Sequence, residues 1–105
     1  MKGKYCIITT ACNDKNNAKE ITETLLSKRL VSYVQESKRF SSYYWKGKIV
    51  REDEYFLTMG TKKSLYKEIE KEIKSIHVYE VPAITMYEIS DGNEEIFNWI
   101  EEETK

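Results

Sequence analysis

The chain has 105 residues, 40% of them hydrophobic and a third charged, which bounds it to one domain with an ordinary core spanning residues 1–105. Its 17 basic and 18 acidic residues nearly cancel and are interleaved, so the basic footprint of a general nucleic-acid binder is missing. No apolar run approaches the ~20 residues that span a bilayer, which leaves no place for a transmembrane helix.

Met1-Lys2-Gly3-Lys4 followed by Tyr5-Cys6-Ile7-Ile8 imitates the basic and apolar parts of a secretory leader. Polar Thr9 and Thr10 arrive too soon, and no small-residue cleavage pattern follows. The segment from Tyr5 to Ala11 therefore reads as a first strand, and the protein as cytoplasmic. Cys6 and Cys12 are the only cysteines. In an extended segment they stand ~20 Å apart, at ~3.3 Å per residue, too far to pair, and their spacing fits no compact zinc pattern. Asn13-Asp14 supplies turn and helix-start chemistry for a segment with Ala18, Ile21, Leu25 and Leu26 on one face.

From Val31 to Tyr44 the residues are mostly Ser, Tyr, Val and Phe, and Trp45-Lys46-Gly47-Lys48 offers a tight turn into Ile49 to Thr61. Two long antiparallel strands follow from this pattern. A helix from Ser64 to Ile76 is set by Leu65, Ile69, Ile73 and Ile76. A strand from Ala83 to Ile89 comes next. Asp91-Gly92-Asn93 then provides a turn and N-cap for a last helix carrying Ile96, Trp99 and Ile100. The order β-α-β-β-α-β plus a C-terminal helix predicts an α+β, ferredoxin-like split βαβ sandwich with a long β2–β3 hairpin.

Strands of a dozen residues are about twice the usual ~5 to 6. The outer half of the hairpin, rich in Ser, Tyr, Lys, Arg and Glu, cannot be covered by one small sheet, and Phe40, Tyr43, Tyr44 and Trp45 cluster near its tip. A second copy of the chain is the natural cover.

Chemistry is sparse. No HExxH, glycine-rich phosphate loop or nucleophile elbow is present, which argues against an enzyme. Glu52, Asp53 and Glu54 read as the solvated face of an outer strand, because adjacent strand residues alternate sides. The single histidine and single proline both fall in His77-Val78-Tyr79-Glu80-Val81-Pro82, where a helix hands over to a strand. Pro82 cannot continue the helix, so His77, Tyr79 and Glu80 sit in a short connection held at both ends. His77 with Glu80, and the Cys12 thiol brought in from another element, would make a site for copper or another divalent ion. The competing reading makes His77 a cap on the last helical carbonyls.

Three stretches together resemble the CutA divalent-cation tolerance proteins: Tyr44-Trp45-Lys46-Gly47-Lys48-Ile49, Thr61-Lys62-Lys63, and His77 to Pro82 with Gly92-Asn93 and Trp99 downstream. Family members carry YWWEGKI, KT and HPYEVPE in the same order and spacing. The resemblance implies a ferredoxin-like subunit in a tight homotrimer, non-enzymatic, with weak transition-metal binding and no cofactor needed to fold. It also implies, by likeness to the trimeric PII signal proteins, an alternative role as a small-ligand module with clefts between subunits. Trp45, Lys62, Tyr79 and Pro82 would line such a cleft. Val78 stands where a proline is usual, and Ala83 replaces the usual glutamate. Thr10 and Ile76 occupy positions that resemble a metal-associated thiol and one of a histidine pair, leaving His77 alone and Cys12 two residues displaced.

Overall fold

Alternation sets the first strand. In β1 (Tyr5–Cys12) of the computed structural model, Cys6, Ile8, Thr10 and Cys12 point to one side and are buried, as period-two geometry requires. The structure describes residues 3–105, so Met1 and Lys2, the start of the basic stretch noted above, lie outside the described residues. Asp14 then caps α1 (Lys15–Ser27), its carboxylate accepting a hydrogen bond from the Asn17 N–H at 3.0 Å. Asn17, Ala18, Ile21 and Leu25 form the buried stripe, while Leu26, expected with them, is exposed one position round the helix.

β2 (Tyr33–Trp45) and β3 (Lys48–Lys62) are joined by Lys46-Gly47, whose φ angles of 51° and 80° give the two-residue hairpin turn that matches strand twist. A single 3₁₀ turn at Lys63–Leu65 precedes α2 (Tyr66–Ile76), so the expected helix from Ser64 begins as this tighter turn. β4 (Ile84–Glu88) follows Pro82, and α3 (Glu94–Glu103) ends the chain. Asn93 holds the N-cap position of α3 without capping it, its amide donating instead to Glu95 at 3.2 Å.

The four strands form one antiparallel sheet in the order β2-β3-β1-β4, the ferredoxin-like arrangement. Its inner face packs Cys6, Ile8, Leu57 and Met59 against Ile21, Leu25, Ile69 and Ile73 of the two long helices. Both thiols are free and buried, and burial pushes Cys6 up to about 11 and raises Cys12 as well. Tyr5 faces the other side, where α3 docks: its ring stacks on Phe97 at 4.9 Å beside Ile100.

The α3 dock is held at its rim by Glu101, which takes a hydrogen bond from the Tyr5 hydroxyl at 2.7 Å and pairs with Lys4 at 2.9 Å and Lys62 at 3.4 Å. These partners, Lys4 first and Tyr5 second, hold the Glu101 carboxyl down at about 2. Because the folded pKa is depressed, the stabilisation is present above the unfolded value of ~4.3 and is lost as pH falls through about 2. Glu101→Gln should therefore lower thermal stability at neutral pH and flatten its acid dependence over that window, as followed by circular dichroism.

Register exposes the hairpin. β1 pairs with β3 only as far as Cys12 opposite Tyr55, whereas β2 and β3 stay paired out to Trp45 opposite Lys48. From Lys48 to Glu54, β3 thus has a strand on one edge alone. This projecting ribbon carries Phe40, Tyr44 and Ile49 at 61%, 76% and 65% exposure.

Candidate functional site

The loop after α2 is fixed by one side chain of the neighbouring helix α1. Asn17 donates to the last carbonyl of the helix, Ile76 O, at 2.8 Å and accepts from the Val78 N–H at 3.1 Å. The reading of His77 as a carbonyl cap is thus corrected: His77 holds the C-cap position of this helix through its main chain, its N–H donating to Ile73 O at 2.9 Å, whereas the side-chain bond to the last carbonyl comes from Asn17 and not from the imidazole. The ring instead reaches β1. Its Nδ1 accepts from the Tyr79 N–H at 3.0 Å, which assigns the proton to Nε2, donating to Ala11 O at 2.9 Å. Desolvation lowers its pKa and keeps the ring neutral, with only partial compensation from the Ala11 contact.

His77 orients Tyr79, two residues on. Its ring packs against Tyr79 with centroids 4.9 Å apart, and the Tyr79 hydroxyl crosses the outer sheet face to Glu54 Oε2 at 2.5 Å and Glu52 Oε2 at 3.5 Å. Period two explains why these carboxylates converge. Glu52 and Glu54 share one side of β3, while Asp53 points the other way to Lys38 at 3.6 Å. The solvated-face reading of this segment is thus corrected: Glu54 is only 8% exposed, roofed by Tyr79. Glu52 accepts further hydrogen bonds from the Tyr43 hydroxyl and from Asn13 Nδ2, and these donors, Tyr43 first, hold its pKa below the ordinary carboxylate value. Burial, then the bond to Glu54, raises the Tyr79 phenol, so it remains a donor across the working pH range.

The cluster floors an open groove of about 930 Å³ between the hairpin tip and the loop. Trp45 and Tyr79, both expected in a cleft, line it; Val81 and Ala83 line it on either side of Pro82, which does not. Lys62 is elsewhere in the same chain, at the far end of β3 opposite Tyr5, half-buried against Glu101.

The three residues expected to hold a metal ion are not brought together. His77 has both nitrogens engaged, the Cys12 thiol is buried and donates to Asp14 O at 3.4 Å, and Glu80 is out on the rim, 3.5 Å from Lys46. Among the described residues, no group of three or more His, Cys, Asp or Glu side chains is placed to hold one. The donors present do not form a preassembled divalent-ion shell. Sequence reasoning missed Asn13, Asn17 and Glu54; of these only the Glu52–Glu54 pair had a signal, its two-residue spacing on a strand.

Residues 6–103 match the CutA1 divalent ion tolerance protein family. The chain is 34% identical over 99 residues to the divalent-cation tolerance protein CutA of Pyrococcus horikoshii, covering 94% of this chain and 97% of that protein. It is 32% identical to a CutA homolog of Danio rerio, over 97% of this chain and 69% of that protein. The crystal structure of CutA1 from Pyrococcus horikoshii superposes with a TM-score of 0.91 at 33% identity, covering 95% of this chain and 98% of that one. CutA1 from a psychrotrophic Shewanella superposes at 0.92 with 27% identity, covering 99% and 98%.

Proposed function

The chain belongs to the CutA1 divalent ion tolerance family, and from that premise we propose that it works as a non-enzymatic homotrimer with a role in divalent-cation tolerance. The observation that carries the trimer is the ribbon beyond Tyr55: seven residues of β3 with one open edge, and three large apolar side chains on its two strands more than half exposed. An edge of that length invites pairing with another chain, and an isolated two-stranded ribbon gains too little burial to be stable in water. Closed threefold pairing covers the edge and the apolar side chains together. Native mass spectrometry tests it through the ratio of assembly mass to the 12.5 kDa chain mass.

The cellular address follows from chemistry in the same reading. Two buried unpaired thiols suit a reducing compartment, and no described helix is long and apolar enough to cross a membrane, so the proposal places the chain in the cytoplasm.

A divalent ion is the ligand the family description suggests, and copper is the one proposed here. In this chain such an ion has one histidine to use, and binding at Nδ1 requires the Tyr79 N–H contact to open first. Affinity should therefore fall far short of closed four-ligand sites. Titrating Cu²⁺ calorimetrically into wild type and His77→Ala should show weak binding that the substitution removes. Equal binding by both proteins would move the site away from His77.

The groove supports a second reading, a small-ligand module in which Trp45 and Tyr79 help to form a cleft between subunits. Its volume lies in the range of ligand sites, ~300–1,000 Å³.

A further inference from the structure

We infer that residues 80–83 are a strap that gates the mouth of the groove, latched to the hairpin turn by the Lys46–Glu80 ion pair and free to move without the groove floor. The inference deepens the small-ligand reading of this groove and rests on it.

The strap hangs between two fixed ends. Before it, His77, Val78 and Tyr79 are tied to β1, α1 and β3 through Ala11, Asn17 and Glu54. After it, Ile84 enters the sheet opposite Thr10. Among the described residues, no hydrogen bond holds the main chain of Glu80 or Val81, and both side chains are largely exposed. Pro82 offers no N–H and has its own φ locked, so the span swings as a short stiff piece. Local motion of that kind is expected where exposed backbone lacks partners and both flanks are pinned.

The two sides of the mouth explain what the strap does. Val81 and Ala83 line the groove on one side, and Tyr44 and Trp45 at the hairpin tip line it on the other. Apolar walls that both face water gain by closing toward each other, or on an apolar group between them. The tie across the mouth is Lys46 Nζ to Glu80 Oε2 at 3.5 Å, with both side chains exposed. Such a pair is weak and screened by salt, so it holds the strap near the turn without locking it. The floor is different: Glu54 is buried and takes the Tyr79 hydroxyl at 2.5 Å, which keeps Tyr79 in place when the strap swings.

Acrylamide quenching of Trp45 reads the mouth directly, in the intact protein carrying Trp99→Phe so that Trp45 is the only indole. Raising salt to about 1 M should increase the quenching, because screening shifts the open-to-closed ratio by about two- to fivefold, the range of one exposed ion pair. Glu80→Gln should give the same increase at low salt and abolish the salt dependence. Its carboxylate is exposed, so the variant folds. In that variant, amide exchange followed by NMR should quicken at Val81 and Ala83 and stay at its wild-type rate at Val78 and Tyr79. Quenching that ignores both salt and the substitution overturns the strap. Faster exchange at Tyr79 overturns it too, since floor and strap would then move as one piece. Light scattering on the same samples keeps the two readings apart: a trimer with salt-independent quenching defeats the strap alone, whereas a monomer whose quenching follows the latch keeps the strap and defeats the subunit cleft.

Discussion

Phe40→Lys should take the assembly apart and leave each chain with a folded core and a frayed ribbon. Phe40 is 61% exposed in the single chain and stands directly opposite Asp53, so a lysine there meets a carboxylate across the strand pair and costs the isolated subunit little. In the assembly the outcome reverses. Burying a phenylalanine side chain is worth ~1.5–3 kcal/mol, and replacing it by an ammonium adds a desolvation cost of at least similar size. The loss recurs in every subunit, so the dissociation constant should rise by several orders of magnitude. Light scattering at micromolar concentration should show single chains, with the helical dichroism of α1 and α2 retained and part of the strand signal lost as the unpartnered ribbon frays. A variant that keeps the wild-type mass under dilution would show that this face of the hairpin is not in the interface.

Gly60→Ala should be the most damaging single methyl in the fold. Gly60 lies in β3 between Ile7 and Tyr33, and a Cβ there would fall 2.3 Å from Tyr33 Cε2 and 2.8 Å from its Cζ. The Tyr33 ring would have to swing away from Trp99, on which it stacks with centroids 6.1 Å apart, loosening the hold of α3 on the sheet. Backbone movement offers no relief, because the Gly60 carbonyl accepts from both the N–H and the hydroxyl of Ser32 at 2.9 Å. Overpacking of this kind costs ~1–3 kcal/mol, and each kcal/mol lowers the melting temperature of a chain this size by ~4–8 °C. The same substitution in a Tyr33→Ser background should cost much less, since the colliding ring is gone. Equal losses in both backgrounds would place the strain elsewhere.

The fold was legible because local and tertiary signals agree along most of the chain. Period-two burial in β1, Asp14 as a cap, Lys46-Gly47 as a hairpin turn and the apolar stripe of α2 each follow from adjacent residues. Leu26 was misplaced because it lies ~100° round the helix from Leu25, off the stripe that Asn17, Ala18, Ile21 and Leu25 bury. Asn93 takes the N-cap position of α3 as expected, but its oxygen accepts no helix N–H while its amide N–H donates to Glu95.

The candidate site was only half legible. Position in the chain pointed to the loop from His77 to Pro82, but the partners that define its chemistry come from elsewhere: Ala11 from β1, Asn17 from α1, Glu52 and Glu54 from β3. No local pattern announces such pairings. His77 looks like a ligand in the sequence and is a brace in the fold, its two nitrogens spent on Ala11 and Tyr79. Glu54 looks solvated and is buried, because a tyrosine twenty-five residues away closes over it. Lys62 was grouped with Tyr79 by likeness to proteins with clefts between subunits, yet within one chain Tyr79 meets β3 at Glu54 and Lys62 stands at the end of that strand.

The mass of the wild-type protein in solution tests the central claim most directly. Light scattering across a dilution series should give three times the 12.5 kDa of the chain, constant down to the lowest concentration that can be read. A stable mass of one chain would contradict the account, since the projecting ribbon and its exposed aromatic residues would then have to persist in water without a partner.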